Sequence, residues 1–298
     1  MKKILFLLIF IMAAVPAYAW QQVAVQVPLE QKPAGGELKD RVMQSGFRQA
    51  VSGEMDRMIS GELSGERMSA LMDHISGSIQ GLVQGYRQVT WEEDEDFLAL
   101  EMEVNIDTDA LRSLLQKTGA YYTSAAAWPY DLNTRGASPE DLSLLRELQL
   151  ISGTAVDGNA RTTLTLNRQG DGSWSGNIMH GDISMSASDG ELRRVWFELW
   201  GWFFSRPEIK SGFVEDITLV TKGWHTTDSI NYFDQVLGTW NREVENKKIN
   251  SVYFEGREIE AVWEIQSLSP ELFKARIEKH LGFRGIEHQV IIISRFGP

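Results

Sequence analysis

Residues 82–115 read LVQGYRQVTWEEDEDFLALEMEVNIDTDALRSLL, and this stretch decides the fold of the first third of the chain. In Phe97–Ile106, the residues Leu98, Leu100, Met102, Val104 and Ile106 alternate with Ala99, Glu101, Glu103 and Asn105. A period of two puts the apolar set on one side of a strand and the polar set on the other. Leu82–Trp91 is the expected partner strand, with Val83, Val89 and Trp91 available for the same side. Between them Glu92-Glu93-Asp94-Glu95-Asp96 is too charged to bury and makes the expected turn. It lacks the spaced ligands and the turn glycine of a calcium loop, so it reads as a solvated tip. Asp107 or Thr108 then caps a helix whose Leu111, Leu114 and Leu115 look back at the sheet.

Upstream, Val23–Pro28 (VAVQVP) is a strand ended by proline, and Lys32–Gly36 breaks the chain. Glu37–Ile59 is a helix with Leu38, Val42, Phe47, Val51, Met55 and Met58 as its buried stripe. Gly61 and Gly65 precede a second helix carrying Met68, Leu71, Met72, Ile75 and Ile79. Residues 20–119 thus run β-α-α-β-β-α, an α+β domain with helices laid on a small sheet. Residues 1–19 stand apart. Lys2 and Lys3 precede the apolar run Ile4–Val15, too short to span a bilayer, and Ala17-Tyr18-Ala19 follows. These are the parts of a secretory signal peptide cut after Ala19, so the mature chain is expected in the periplasm from Trp20 onward.

An exported start, a VAVQVP strand, the helix LKDRVMQSGFRQAV and the run GYRQVTW…FLALEMEVNIDTDALRSLL together resemble a family of bacterial exported proteins defined by a domain of unknown function. The same part is more distantly similar to the N-terminal domain of flagellar assembly protein T and related envelope lipoproteins. The resemblance implies an envelope location and brings no catalytic signature with it.

Residues 120–206 read as a middle α/β segment of short antiparallel strands plus helices. Ala120–Arg135 is expected to be a connector. Ser138-Pro139-Glu140-Asp141 opens a helix, with proline at its first position and an acid three residues after the cap. Leu142, Leu144, Leu145 and Leu148 continue it. Strands are expected at Ile151–Val156, Thr162–Asn167, Ser173–Met179 and Ile183–Ala187, with Gly170-Asp171-Gly172 as a turn. The spacing of Gly170, Gly172 and Gly176 leads into a strand, so it presents no helix N-terminus to a phosphate. Glu191–Ser205 (ELRRVWFELWGWFFS) is apolar nearly all round. A helix of that kind belongs between two layers. Exposed, its Trp196, Trp200, Trp202 and Phe203 would form an aromatic patch for a partner protein or a glycan.

Residues 207–298 read as a ferredoxin-like domain of order β-α-β-β-α-β. Asp216–Gly223 is a strand, and Thr227 or Asp228 caps a helix with Ile230, Phe233, Val236, Leu237 and Trp240. Ile249–Glu255 and Glu258–Gln266 make a hairpin about Gly256-Arg257. Ser269-Pro270 opens a helix with Phe273, Ile277, His280 and Leu281, and His288–Ser294 is the last strand. The same unknown-function family similarly ends in such a domain after a short helix of the Trp224-x-x-Thr227…Tyr232-Phe233 type, so the resemblance extends over most of the mature chain.

Composition narrows the chemistry. There is no cysteine, which excludes disulfides, thiolate metal sites and a cysteine nucleophile. Removing the first 19 residues removes Lys2 and Lys3, leaving 27 of the 29 basic residues against 41 acidic ones, a net charge of −14. Such a surface repels nucleic acid and anionic lipid. The five histidines, His74, His180, His225, His280 and His288, are scattered without metal-protease spacing. His180 and Asp182 would share a face of one strand, but two ligands do not hold a metal. His280 lies near a helix C-terminus, where a charged imidazole meets the dipole favourably. No local signature marks a nucleophile or an acid–base pair, and no cofactor or metal is expected. The expected function is non-catalytic: contact with another envelope protein, or assembly. The alternative is an envelope enzyme or ligand-binding module acting on a glycan or peptide.

Overall fold

The computed structural model describes residues 20–28, 36–59, 61–93, 97–256 and 258–293. The expected signal peptide with its cut after Ala19, the breaker at 32–35 and the tip residues 94–96 lie outside them. The fold class is α+β, with three sheets. By contacts the described residues form two compact units: one holds those up to Ala50 and those of Ile79–Asp107, the other those of Val51–Ser78 and those from Thr108.

The first unit contains a three-stranded antiparallel sheet of order β1-β3-β2, from β1 (Gln21–Pro28), β2 (Val83–Glu93) and β3 (Phe97–Ile106). Leu98, Leu100, Met102, Val104 and Ile106 are all buried, as their alternation requires. The first half of α1 (Gly36–Met58) covers the sheet, with Val42 and Phe47 buried and Gly46 close against Met102. The partner strand departs from expectation at Val89, which is half exposed. The pairing of β2 with β3 slips between Gln88 and Thr90, so Val89 is an extra residue and the alternation inverts across it. Trp91 regains the register opposite Leu100, and Tyr86 packs edge-on against Phe47 at 5.1 Å.

In the second unit, α2 (Gly65–His74) follows the rest of α1, whose Val51, Met55 and Met58 are buried. After α3 (Thr108–Thr118) comes a five-stranded sheet of order β5-β4-β6-β7-β8, from β4 (Trp128–Arg135), β5 (Thr154–Val156), β6 (Thr162–Arg168), β7 (Trp174–His180) and β8 (Ile183–Asp189). The stretch expected as a connector is therefore half strand. β4 also makes the sheet mixed, because it runs parallel to both neighbours while β6, β7 and β8 pair antiparallel. Pro129, Asp131 and Asn133 are poor strand formers, and only Tyr130 of this strand is fully buried, so its sequence carries little period.

The crossover between β4 and β5 is α4 (Pro139–Ser152). Its first turn is a capping box: Asp141 N–H donates to Ser138 Oγ at 3.3 Å, and Ser138 N–H donates to Asp141 Oδ2 at 2.8 Å. Ile151 and Ser152 remain helical, so β5 is shorter than the expected strand, and Gly153 (φ 61°) ends the helix in the left-handed conformation. Arg67 of α2 lies buried against this C-terminus, donating to Thr123 O, Thr123 Oγ1 and Ile151 O. Helix α5 (Leu192–Ser205) packs on β7 and β8, with Val195, Trp196, Leu199, Trp200, Phe203 and Phe204 buried. Gly176 of β7 permits this approach, since a Cβ there would lie 2.7 Å from Leu199 and 2.9 Å from Leu166 and Val195.

A short helix α6 (Pro207–Lys210) leads to the last sheet, of order β10-β11-β9-β12, from β9 (Glu215–Trp224), β10 (Asn246–Glu255), β11 (Glu258–Ser267) and β12 (Glu287–Ile293). All its pairings are antiparallel, and α7 (Thr227–Gly238) and α8 (Pro270–Gly282) complete the ferredoxin-like arrangement. Phe233, Trp240, Trp263, Phe273, Ile277 and Leu281 form its core. Thr226 caps α7, one residue ahead of the expected Thr227. A part-buried polar cluster joins this domain to α3 and the chain after it. Tyr121 Oη donates to Glu245 Oε2 at 2.8 Å, Gln116 Nε2 donates to Glu245 Oε1 at 2.9 Å, and Arg112 donates to Asn241 Oδ1. Burial, and then the charge of Glu245, raises the Tyr121 hydroxyl far above the usual phenol range, so it remains a donor.

Candidate functional site

Helix α5 has two different faces. One is the buried face on the sheet. The other presents Phe197, Glu198, Gly201, Trp202 and Ser205, spaced to line a single helical stripe. Helix α3 supplies a matching stripe of Ala110, Ser113, Leu114 and Lys117. The two helices approach at Gly201, where a Cβ would lie 3.3 Å from Lys117 O. Together with His74 at the end of α2 they enclose an open groove of about 890 Å³.

His74 forms one end of the groove. Its ring stacks on Phe197, with centroids 4.2 Å apart and planes at 25°. Arg193 donates to Glu147 Oε1 at 2.7 Å and also approaches His74 Nδ1 at 3.4 Å. A guanidinium only donates, so Nδ1 is the acceptor and the imidazole proton sits on Nε2. Burial first, and then the positive charge of Arg193, lowers the His74 pKa below its ordinary 6.5, with Glu147 opposing in part. A neutral imidazole results, which stacks without stranding a charge. Beyond the C-terminal end of α5, Arg206 lies over the ring of Trp202 at 5.5 Å.

The four aromatic residues singled out from the sequence therefore separate. Trp196, Trp200 and Phe203 are buried on the side of α5 that packs on the sheet. Trp196 Nε1 donates to Ser152 Oγ at 2.9 Å, and Trp200 meets Tyr130 edge-on at 5.2 Å. Only Trp202 reaches the groove, where it stands half-buried. Phe197, His74, Leu114 and Lys117 were not singled out. The available signal was in α3, where Leu111 and Leu115 fill one buried face and Leu114 widens the apolar arc beyond it.

The remaining candidates lie elsewhere. β7 ends at His180, so Asp182 falls in a turn and the two do not share a strand face. His180 Nδ1 instead meets Thr162 Oγ1 at 2.8 Å, and Trp128 Nε1 donates to the same oxygen at 3.1 Å. His280 stacks on Phe233 at 5.6 Å; burial, then Arg284 and Arg276, lowers its pKa. The charged form expected at that helix end is therefore disfavoured. Among the described residues no group of three His, Asp or Glu side chains is placed to hold a metal ion, and no helix is long and apolar enough to cross a membrane. No protein-family model matches the chain, and no curated protein matches it.

The lowered pKa of His74 has a measurable consequence. Its unfolded value of 6.5 exceeds its folded one, so below that pH the unfolded chain takes up the proton first. His180 and His280 act in the same direction. Stability is thus full above about pH 7 and falls as the pH drops toward about 5, before most carboxylates titrate near about 4. The melting temperature of the chain from Trp20, followed across this window, is expected to decline, and His74→Gln to shallow the decline. An equal slope in wild type and variant would remove His74 from the account.

Proposed function

We propose that this chain is an exported, non-catalytic protein of the bacterial envelope, released into the periplasm by cleavage after Ala19, and that it holds another envelope protein in the groove between α3 and α5. The resemblance to exported proteins of unknown function supports the location. The single observation that carries the reading is the pairing of Phe197 and Trp202 on a helix stripe that faces a groove instead of the core. Aromatic side chains left half-exposed beside aliphatic ones, with Lys117 and Glu198 among the lining residues, have the make-up of a protein-binding surface. An apolar segment of the partner would lie along the groove, with the two charged residues setting its register.

A photo-crosslinking residue introduced at Ser113 or Ser205 in intact cells tests this directly. One or a few envelope proteins are expected to crosslink from these positions and not from Ser184, on an exposed part of β8. Trp202→Ser is expected to abolish the crosslinks while leaving the melting temperature within a few degrees, since the ring is not core. Crosslinks of equal yield from Ser113 and Ser184 would sink the reading.

A second reading rests on the same rings. Trp202 and Phe197 beside Ser113, Ser205 and Glu198 also combine stacking faces with hydroxyl and carboxylate partners, as a glycan or peptide site does. Quenching of tryptophan fluorescence by an envelope glycan or peptide, lost in Trp202→Ser, would favour a ligand-binding module or enzyme.

A further inference from the structure

Both edges of the four-stranded sheet expose apolar side chains, Tyr253 and Phe254 on β10 among them, but they differ in how the backbone is protected. β10 carries a bulge between Ile249 and Ser251 and the exposed Lys248, both of which discourage a further strand. β12, Glu287–Ile293, carries neither. Its register with β9 is unbroken from Glu287 to Ile293, and it contains no lysine and no proline. Among the described residues its backbone pairs on one side alone, with β9. Val290 and Ile292 face the core of the domain, while Gln289, Ile291 and Ile293 are exposed on the other side of the strand. Ile291 and Ile293 leave 42% and 51% of their surface in solvent, and Phe283, in the turn leading to β12, leaves 90%. An unprotected apolar edge of this kind is a template for strand addition.

We infer that β12 pairs antiparallel with β12 of a second copy of this chain, joining two ferredoxin-like sheets into one of eight strands. The sequence of the strand favours this occupant. With a two-fold axis at Val290, Glu287 of one copy lies opposite Ile293 of the other, His288 opposite Ile292, and Gln289 opposite Ile291. No like charges meet, and the exposed isoleucines of each copy cover the other's Gln289 and the stem of its Glu287. The contact shares no residue with the α3–α5 groove and does not depend on what the groove holds. A single strand pair is a small contact, so the dimer is expected to be weak and to dissociate on dilution.

Sedimentation velocity on the chain from Trp20 over a concentration series tests the pairing. Gln289→Lys with Ile291→Lys sets lysine opposite lysine at two symmetric places and is expected to raise the dissociation constant about tenfold. Gln289→Lys with Ile291→Glu sets lysine opposite glutamate and is expected to return it to the wild-type range. Both positions are exposed, and circular dichroism confirms that each variant folds. A wild-type chain that stays monomeric throughout the series overturns the inference. So does a dimer that the double lysine leaves intact, or one that the lysine–glutamate variant fails to restore. Protection of the β12 amides from exchange only when an envelope extract is added assigns the edge to another protein's strand and equally overturns self-pairing.

Discussion

Gly153→Ala is expected to destabilise the protein by about 4 kcal/mol, from two effects acting on one atom. The residue ends α4 at φ 61°, where an alanine costs about 1 kcal/mol in backbone strain alone. Its Cβ would also lie 2.2 Å from Arg67 Nη2 and 2.3 Å from Thr123 Oγ1. Arg67 has nowhere to retreat. Its guanidinium donates from Nη1 to Thr123 O at 2.8 Å, and from Nη2 to Thr123 Oγ1 at 2.6 Å and to Ile151 O at 3.4 Å. Burial pushes its pKa down to about 10, so it is still a cation at neutral pH, placed where the negative end of the α4 dipole favours one. Displacing it leaves buried carbonyls unsatisfied at about 1–3 kcal/mol each. Urea unfolding of the chain from Trp20 measures the loss. The double variant with Arg67→Ala is expected to lose less than the sum of the single losses, because the second change removes the atoms that the first one meets. A loss under about 1 kcal/mol for Gly153→Ala would mean the arginine is not held as described.

Trp200→Ala is expected to cost about 4 kcal/mol, in the range for deleting a large aromatic from a core. The ring is fully buried, with Tyr130, Trp196, Phe203 and Phe204 around it at centroid distances of 5.2–5.8 Å. Its Nε1 has no hydrogen-bond partner among the described residues. Trp200→Phe therefore removes an unsatisfied donor along with some volume, and is expected to cost under about 1.5 kcal/mol. The comparison separates packing from binding. A ring that served a ligand would show the reverse, with little loss of stability and a large loss of binding in both variants.

The same helix shows how far sequence reasoning reaches. Its amino acids are apolar nearly all round, and that pattern implies the burial seen for Trp196, Trp200 and Phe203. The pattern does not say that a second helix stands off from Trp202 and leaves a groove, because that depends on a backbone approach at Gly201 set by α3. β3 was legible because one face is buried along its whole length, so period two survives in its residues. β2 was less so, since a bulge at Val89 inverts the period half-way. β4 was hidden for a different reason: it lies inside a mixed sheet, where its place is fixed by pairing on both sides and not by its own propensity. The ferredoxin-like order was legible, a turn and a helix start being marked by Gly256 and Pro270, while the cap of α7 lies at Thr226, ahead of the expected Thr227 or Asp228.

The chain passes between its two compact units three times, after Ala50, after Ser78 and after Asp107. Neither unit is therefore a continuous run of sequence, and no truncation at one peptide bond yields either of them whole. A fragment ending at Gly119 keeps Val51, Met55, Leu71, Leu111 and Leu115 while discarding most of the unit that buries them. During synthesis α2 waits for α4, and α3 for α5, the later helices against which they pack. The wait raises the contact order of the fold and slows its closure. If the chain is exported as proposed, that delay falls on the far side of the membrane, and with no cysteine in the sequence no disulfide shortens it.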